Sequence, residues 1–332
     1  MTDASSPGTL PAGTRLGRVA LRVADLDETT AFYRDVVGLA VLDRDDETAV
    51  LGVAAGSTGD DGAAGSTGDD GDTGGTDTNG DSVPLLVLER DPDRPERGRD
   101  EAGLFHTAFR VPSRAALGEA LARVRGRWRL DGASDHLVSE ALYLVDPEGN
   151  GVEIYRDRPR EEWPVDADGT VQMATEPLDV EGVAAAARSA PVDHPAADSG
   201  PVDRVPSGTD IGHVHLEVTS LSAFEAAYVD GIGFEVGMTG PEVRFVAAGG
   251  YHHHLAANTW RGRTAPETGR GLAWFEVIVP SAAALAAVRD RLDAATSRSE
   301  VEVAVHERDG GVAVTGPDGI EVRIRPEKGE PP

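Results

Sequence analysis

The chain has 332 residues, long enough for two domains of ordinary size, each with its own core. Its 31 Lys and Arg against 58 Asp and Glu leave a formal net charge of −27, which repels phosphate backbones and anionic lipid and argues against nucleic acid and membranes as partners. With no cysteine, disulfides, thiolate metal sites and cysteine nucleophiles are excluded together.

Lys328 is the single lysine, and every other basic residue is Arg. This acidic, lysine-poor makeup suggests a halophilic composition, in which hydrated carboxylates keep a protein soluble at high salt. No apolar run approaches the roughly 18 residues of a membrane span, and Met1 to Gly13 lacks a basic-then-apolar signal pattern, so a cytoplasmic protein is expected.

After a flexible N-terminus over residues 1–14, Leu16 to Val23 alternates as a half-buried strand. Asp25 can cap a helix whose apolar stripe includes Ala31, Phe32, Val36 and Val37 and which Gly38 ends. Short strands follow near Leu39 to Leu42, Ala49 to Val53 and Pro84 to Leu88, giving the order βαβββ. Diverged copies of this unit start at Leu104, Ile211 and Leu272. Two stretches interrupt them. Ala54 to Gly62 reads AAGSTGDDG and is repeated without change over Ala63 to Gly71; with the Gly, Asp and Thr that follow to Ser82, it is a low-complexity acidic loop insertion over 54–82. Pro177 to Ser207 is rich in Ala, Pro and Asp, has one short helix expected at Val180 to Arg188, and reads as interdomain linker. The expected organisation is a first domain over 15–156, a linker over 157–210, a second domain over 211–325 and a tail over 326–332.

The densest signal is Ser134 to Glu153. Leu142 to Val145 is a short apolar strand, Asp146-Pro147-Glu148-Gly149-Asn150-Gly151 is a turn, and Val152 to Tyr155 is a second strand. Glu153 shares a strand face with Gly151 and Tyr155, while Val152 and Ile154 form the core side. In order and spacing, His136, Leu142, Tyr143, Asp146, Pro147, Gly149 and Glu153 resemble the signature of the extradiol ring-cleaving dioxygenases, the catechol 2,3-dioxygenase group of the vicinal oxygen chelate superfamily. Ser134 departs from the residues usual two places before the His. The resemblance covers roughly residues 15 to 325. It implies an α+β fold of four βαβββ modules forming two vicinal-oxygen-chelate-type domains with cupped mixed sheets.

It also implies where metal ligands stand. In this superfamily the first-strand ligand lies five residues before the Val that ends the strand, which selects Arg18, His106, His213 and Trp274 in the four modules. Only His106 and His213 can bind a metal. With Glu153 they make two imidazoles and one carboxylate, a set that holds iron(II), with manganese(II) possible, and leaves positions open for a small aromatic diol and dioxygen. Since neither sequential pair of modules contains all three, modules two and three are expected to pair non-sequentially, leaving one and four metal-free. His215, on the same strand face as His213, is either a substitute ligand or a neighbour of the ligands.

The same resemblance gives His136 and Tyr143 the task of hydrogen-bonding the bound substrate or an oxygen intermediate. The third module is expected to end in a strand near Tyr251 to Ala256, across which His252 and His254 point one way and His253 the other. The resemblance assigns an acid/base His to His253, ahead of Ala256, with His252 and His254 as alternative registers. The expected reaction is extradiol cleavage of a catechol-type vicinal diol by dioxygen, with no organic cofactor. Alternatives are another metal-dependent enzyme of the superfamily, such as a glyoxalase-like lyase, or a ligand-sequestering protein of the same fold. Tyr155, Trp163, Phe245 and Trp260 are candidate pocket aromatics, and a homo-oligomer is possible.

Overall fold

The computed structural model describes residues 9–55, 82–167, 169–189, 203–297 and 302–327. Four βαβββ units are present. The first comprises β1 (Arg15–Val23), α1 (Leu26–Phe32), β2 (Ala40–Arg44), β3 (Thr48–Val53) and β4 (Val83–Arg90). The second has β5 (Gly103–Arg110), α2 (Arg114–Arg127), β6 (Gly132–Asp135), β7 (Ser139–Val145) and β8 (Gly151–Asp157). Between the halves lie β9 (Glu176–Pro177) and α3 (Val180–Ser189). The third unit runs β10 (Asp210–Glu217), α4 (Leu221–Phe224), β11 (Glu235–Gly240), β12 (Val243–Ala247) and β13 (Leu255–Asn258). The fourth runs β14 (Gly271–Val279), α5 (Ala282–Ser297), β15 (Ala304–Arg308), β16 (Gly311–Thr315) and β17 (Glu321–Pro326).

Local chemistry explains the helix ends. The Asp25 side chain accepts the Glu28 amide at the start of α1, satisfying a donor that the helix itself leaves open. α1 relaxes into a π-helical turn over Tyr33–Val37, and Gly38 closes it in the left-handed region at φ 95°. α4 does the same over Glu225–Ile232, closed by Gly233 at φ 105°. Each ending is also capped by an arginine from the next module. Arg123 of α2 donates to the Val37 carbonyl, and Arg291 of α5 donates to the Ile232 carbonyl. Guanidinium groups there meet the partial negative charge of a helix C-terminus.

Sequential modules therefore touch through their helices, but they do not share a sheet. One sheet has the order β15-β16-β17-β14-β1-β4-β3-β2, and the other has β11-β12-β13-β10-β5-β8-β7-β6-β9. Modules one and four meet through the antiparallel pair β1 and β14; modules two and three meet through β10 and β5. Each half of the chain thus supplies one module to each sheet, so the sheets cut across the expected division into 15–156 and 211–325. One apolar core, including Leu21, Phe109, Leu117, Leu216 and Phe275, joins both sheets to the helices.

The stretch read as linker is built into this frame. β9 pairs with β6 at the edge of the second sheet, α3 packs on α2 with Val183 fully buried, and Trp163 is buried beside Tyr251. The expected flexible N-terminus is packed from residue 9: Leu10 is buried and its amide donates to the Gly233 carbonyl. Within the expected tail, Glu327 donates its amide to the Val279 carbonyl. Most of the acidic insertion, residues 56–81, lies outside the described residues. Among the described residues no helix is long and apolar enough to cross a membrane.

Candidate metal centre

Three adjacent strands of the second sheet carry the cluster. In register, Glu153 of β8 lies beside Ala108 of β5, and Ala108 lies beside His213 of β10. His106 stands two residues earlier on β5, paired with His215. Glu153 and His213 flank a residue with almost no side chain, so their longer side chains converge over Ala108 with His106. Two irregularities adjust the aim. Gly212 is an extra residue between the pairs Ile211–Phe109 and His213–Ala108, and Phe105 is one between His215–His106 and Leu216–Leu104. Bulges of this kind turn neighbouring side chains. At Gly212 a Cβ would collide with the Tyr155 hydroxyl, so only glycine fits.

Glu153 Oε2 lies 3.0 Å from His106 Nε2 and 3.0 Å from His213 Nε2, and the two nitrogens are 3.3 Å apart. All three residues are buried. An ion bonded at about 2.1 Å to ligands at right angles holds their donor atoms about 3 Å apart, so this triangle fits one face of an octahedral metal ion. The protonation states agree. Burial alone would raise the Glu153 carboxyl, but facing His213 and His106 holds it well below the carboxylate range. Burial takes His213 down to about 4, outweighing its carboxylate neighbour. At neutral pH the site presents a charged carboxylate and a His213 imidazole with its lone pair free. The His213 Nδ1 atom is buried and has no hydrogen-bond partner among the described residues.

His136 and Tyr143 close one side. Tyr143 pairs with Glu153 across β7 and β8. His136 sits in the turn between β6 and β7, where Leu137 takes a left-handed φ of 68° and donates its amide to Asp135 Oδ1. The Ala174 carbonyl lies 2.6 Å from His136 Nδ1 and takes that proton, so a neutral His136 offers Nε2 as acceptor to the Tyr143 hydroxyl at 2.6 Å. Burial and the Glu153 carboxylate raise the Tyr143 phenol well above its ordinary value, so it keeps its proton.

The three consecutive histidines do not lie in a strand, as their alternation would require; β13 begins only at Leu255. Each has its own surroundings. His254 Nδ1 accepts the Ala248 amide. His252 Nε2 donates to Asp157 Oδ1 at 2.9 Å, which leaves its Nδ1 as acceptor for the Nδ1 proton of His253 at 2.7 Å. Asp157 is held below its usual range: burial opposes this, but the His252 bond and the Arg110 guanidinium outweigh it. The chain Asp157–His252–His253 leaves His253 with a bare Nε2, beside the His213 ring at 4.2 Å between centroids. His215 Nε2 faces the Asn258 side-chain amide at 2.9 Å, so this nitrogen is engaged away from the ligand triangle.

The triangle opens into a cavity of about 480 Å³. Its lining includes His136, Tyr143, His215 and His253, together with Phe245 and Trp260 among the expected aromatics. Tyr155, on the Glu153 face with its ring 4.9 Å from His213, does not line the cavity and is bonded to the Tyr251 hydroxyl, and Trp163 is packed away from the cavity. Sequence reasoning missed Met173, Ala174 and Thr175, which reach the cavity from the stretch read as linker. No local pattern marks them. Asp157 was within reach of the sequence, because period-two alternation puts it on the Glu153 and Tyr155 face of β8.

Paired βαβββ modules, with two imidazoles and a carboxylate that could hold a metal ion at the centre of one sheet, define a protein of the vicinal-oxygen-chelate fold. The comparisons agree. Residues 15–154 match the Glyoxalase/Bleomycin resistance protein/Dioxygenase superfamily. The chain is 36% identical over 287 residues to a catechol-2,3-dioxygenase of Bacillus subtilis (strain 168), covering 84% of this chain and 87% of that protein. Among solved structures, glyoxalase I from Zea mays is 16% identical over 94% of this chain and 92% of its own, with a TM-score of 0.51. A point mutant of that enzyme is 13% identical over 94% of each chain, with a TM-score of 0.53. This chain belongs to the glyoxalase, bleomycin resistance protein and dioxygenase superfamily.

Proposed function

We propose that the protein cleaves the ring of a catechol-type vicinal diol with dioxygen, beside a hydroxyl-bearing carbon, at an iron(II) ion held by His106, Glu153 and His213. Manganese(II) fits the same donors. The observation that carries this reading is the triangle of one carboxylate oxygen and two imidazole nitrogens, 3.0 to 3.3 Å apart, opening on an aromatic-lined cavity. Similarity to a catechol-2,3-dioxygenase over most of the chain supports the substrate class. A bound ion of this kind supplies a positive charge that favours the deprotonated diol, together with open positions for substrate and dioxygen.

The chain's own groups supply the rest. His253, with its Nδ1 proton given to His252, offers Nε2 as a base to a substrate hydroxyl. The Tyr143 hydroxyl and His136 Nε2 share one proton across 2.6 Å, and this pair orients the diol and can return a proton to oxygen as negative charge develops. The carbonyl of Ala174 prevents His136 from turning.

The test is anaerobic loading with iron(II), then addition of catechol and air while recording absorbance. A yellow ring-opened product is expected, falling roughly a thousandfold in Glu153→Ala. Bound iron with no product from any catechol would overturn the reading.

A further inference from the structure

We infer that the substrate is a catechol carrying an uncharged, apolar alkyl or aryl substituent, and that the cavity wall discriminates against carboxylated catechols. This rests on the ring-cleavage reading and names the substrate class for the same site. Eight non-hydrogen atoms of a bare catechol occupy on the order of 150 Å³ at condensed-phase packing, well below the cavity's 480 Å³. The remaining space is bounded by Phe105, Met173, Met238, Val243, Phe245 and Trp260. Trp260 lines the cavity yet is 49% exposed, which puts it at the opening. Its ring lies 5.5 Å from Phe105, and Phe245 lies 5.0 Å from His253, so the aromatic wall runs from the opening to the expected base. A flat or flexible apolar group laid along this wall would leave water together with the side chains it covers.

No counter-charge is supplied for an acid. Among the described residues, neither Lys nor Arg lines the cavity. Arg261 stacks on the Phe105 ring at 5.5 Å, but it does not line the cavity and is paired with Glu217 at 3.4 Å. Apart from the histidines, Tyr143 and the Glu153 carboxylate of the ligand triangle, the polar lining is Ser134, Ser139 and Thr175, which are neutral. A substituent carboxylate would lose its water without gaining a cation, and it would approach through the field of a chain with net charge −27.

A matched pair of probes tests this: a catechol with a propyl chain and the same catechol with an acetate side chain, which is close in size and charged. On iron-loaded protein, anaerobic calorimetry should show the propyl compound binding about tenfold or more tighter, and kcat/KM for cleavage should follow. Met238→Arg or Met173→Arg should narrow that gap by raising affinity for the acetate compound. Equal or better binding of the acetate compound by the unaltered protein overturns the inference while leaving ring cleavage standing. A propyl preference in binding with cleavage of neither compound upholds the discrimination and sinks the proposed reaction. Binding of neither overturns both.

Discussion

The two sheets are built on the same register, and among the described residues only one brings together side chains that could hold a metal ion. In the site-bearing sheet a row runs Glu153, Ala108, His213 across β8, β5 and β10. In the other, the corresponding row across β4, β1 and β14 is Val87, Ala20, Trp274. Two residues before the central alanine stand His106 and Arg18. Thus Val87, Trp274 and Arg18 replace the carboxylate and both imidazoles, and the space over Ala20 is filled by the Val87 and Trp274 side chains. Arg18 turns to Glu276, which stands where His215 does, and grips it with two bonds of 2.9 and 2.6 Å. Arg323 stacks on Trp274 at 3.8 Å, completing a filled and paired surface. The same backbone yields a binding centre or a closed ion-pair face according to a few side chains above one alanine.

Four changes would break or sharpen this contrast. Ala108→Leu should have the largest effect, placing a side chain where three ligands converge and weakening iron binding about a hundredfold, as read by metal titration. Ala20→Leu should instead leave iron content unchanged and cost about 1–3 kcal/mol of stability by overpacking Trp274 and Val87. If both variants retained iron, the alanine row would not be what opens the site.

Acid should separate the sheets next. His213 is pushed down from 6.5 to about 4, mainly by burial, so between those values the unfolded chain binds a proton that the folded chain refuses. The contribution of this one group to the stability of metal-free protein should therefore be level above pH 6.5 and decline toward pH 4, by about 3 kcal/mol. His215 and His253, also depressed by burial, add to the same decline. Glu153 and Glu276 are held low by their partners, so their contributions are lost only as pH falls below 4.5. Hydrogen exchange at pH 5 should accordingly quicken in the site-bearing sheet before the other; equal quickening would contradict the assignment. The smallest effect is expected from Arg18→Ala, which leaves buried Glu276 with the backbone amide of residue 18 at 3.0 Å and the Arg325 guanidinium at 3.4 Å. Arg18 is partly exposed, so the cost should be about 1–2 kcal/mol by urea unfolding, with no change in iron content.

Much of this contrast was readable from residue order. Counting back from the terminal valines, as the family resemblance directs, picked out Arg18, His106, His213 and Trp274, and the absence of ligands in the first and last modules implied that the middle two pair. The Asp25 cap and the Gly38 stop were legible because capping depends on residues within one turn. The strand expected through Tyr251 to Ala256 was misplaced because the histidines spend their polar atoms on Asp157, Ala248 and one another rather than on a sheet ladder. Loose termini and a free linker were expected from composition, yet Leu10 and Val183 each bury a side chain that makes their segment part of the core.

The sequence by itself determined the repeating module, the strand positions of the two imidazoles and the carboxylate, and the signature that links them, because these rest on short-range spacing and side-chain alternation. Tertiary structure alone decided that Met173 to Thr175 line the cavity and which histidine of three does so. Those outcomes depend on backbone ladders and buried hydrogen bonds between residues such as His252 and Asp157, 95 positions apart, whose partners no local pattern can name.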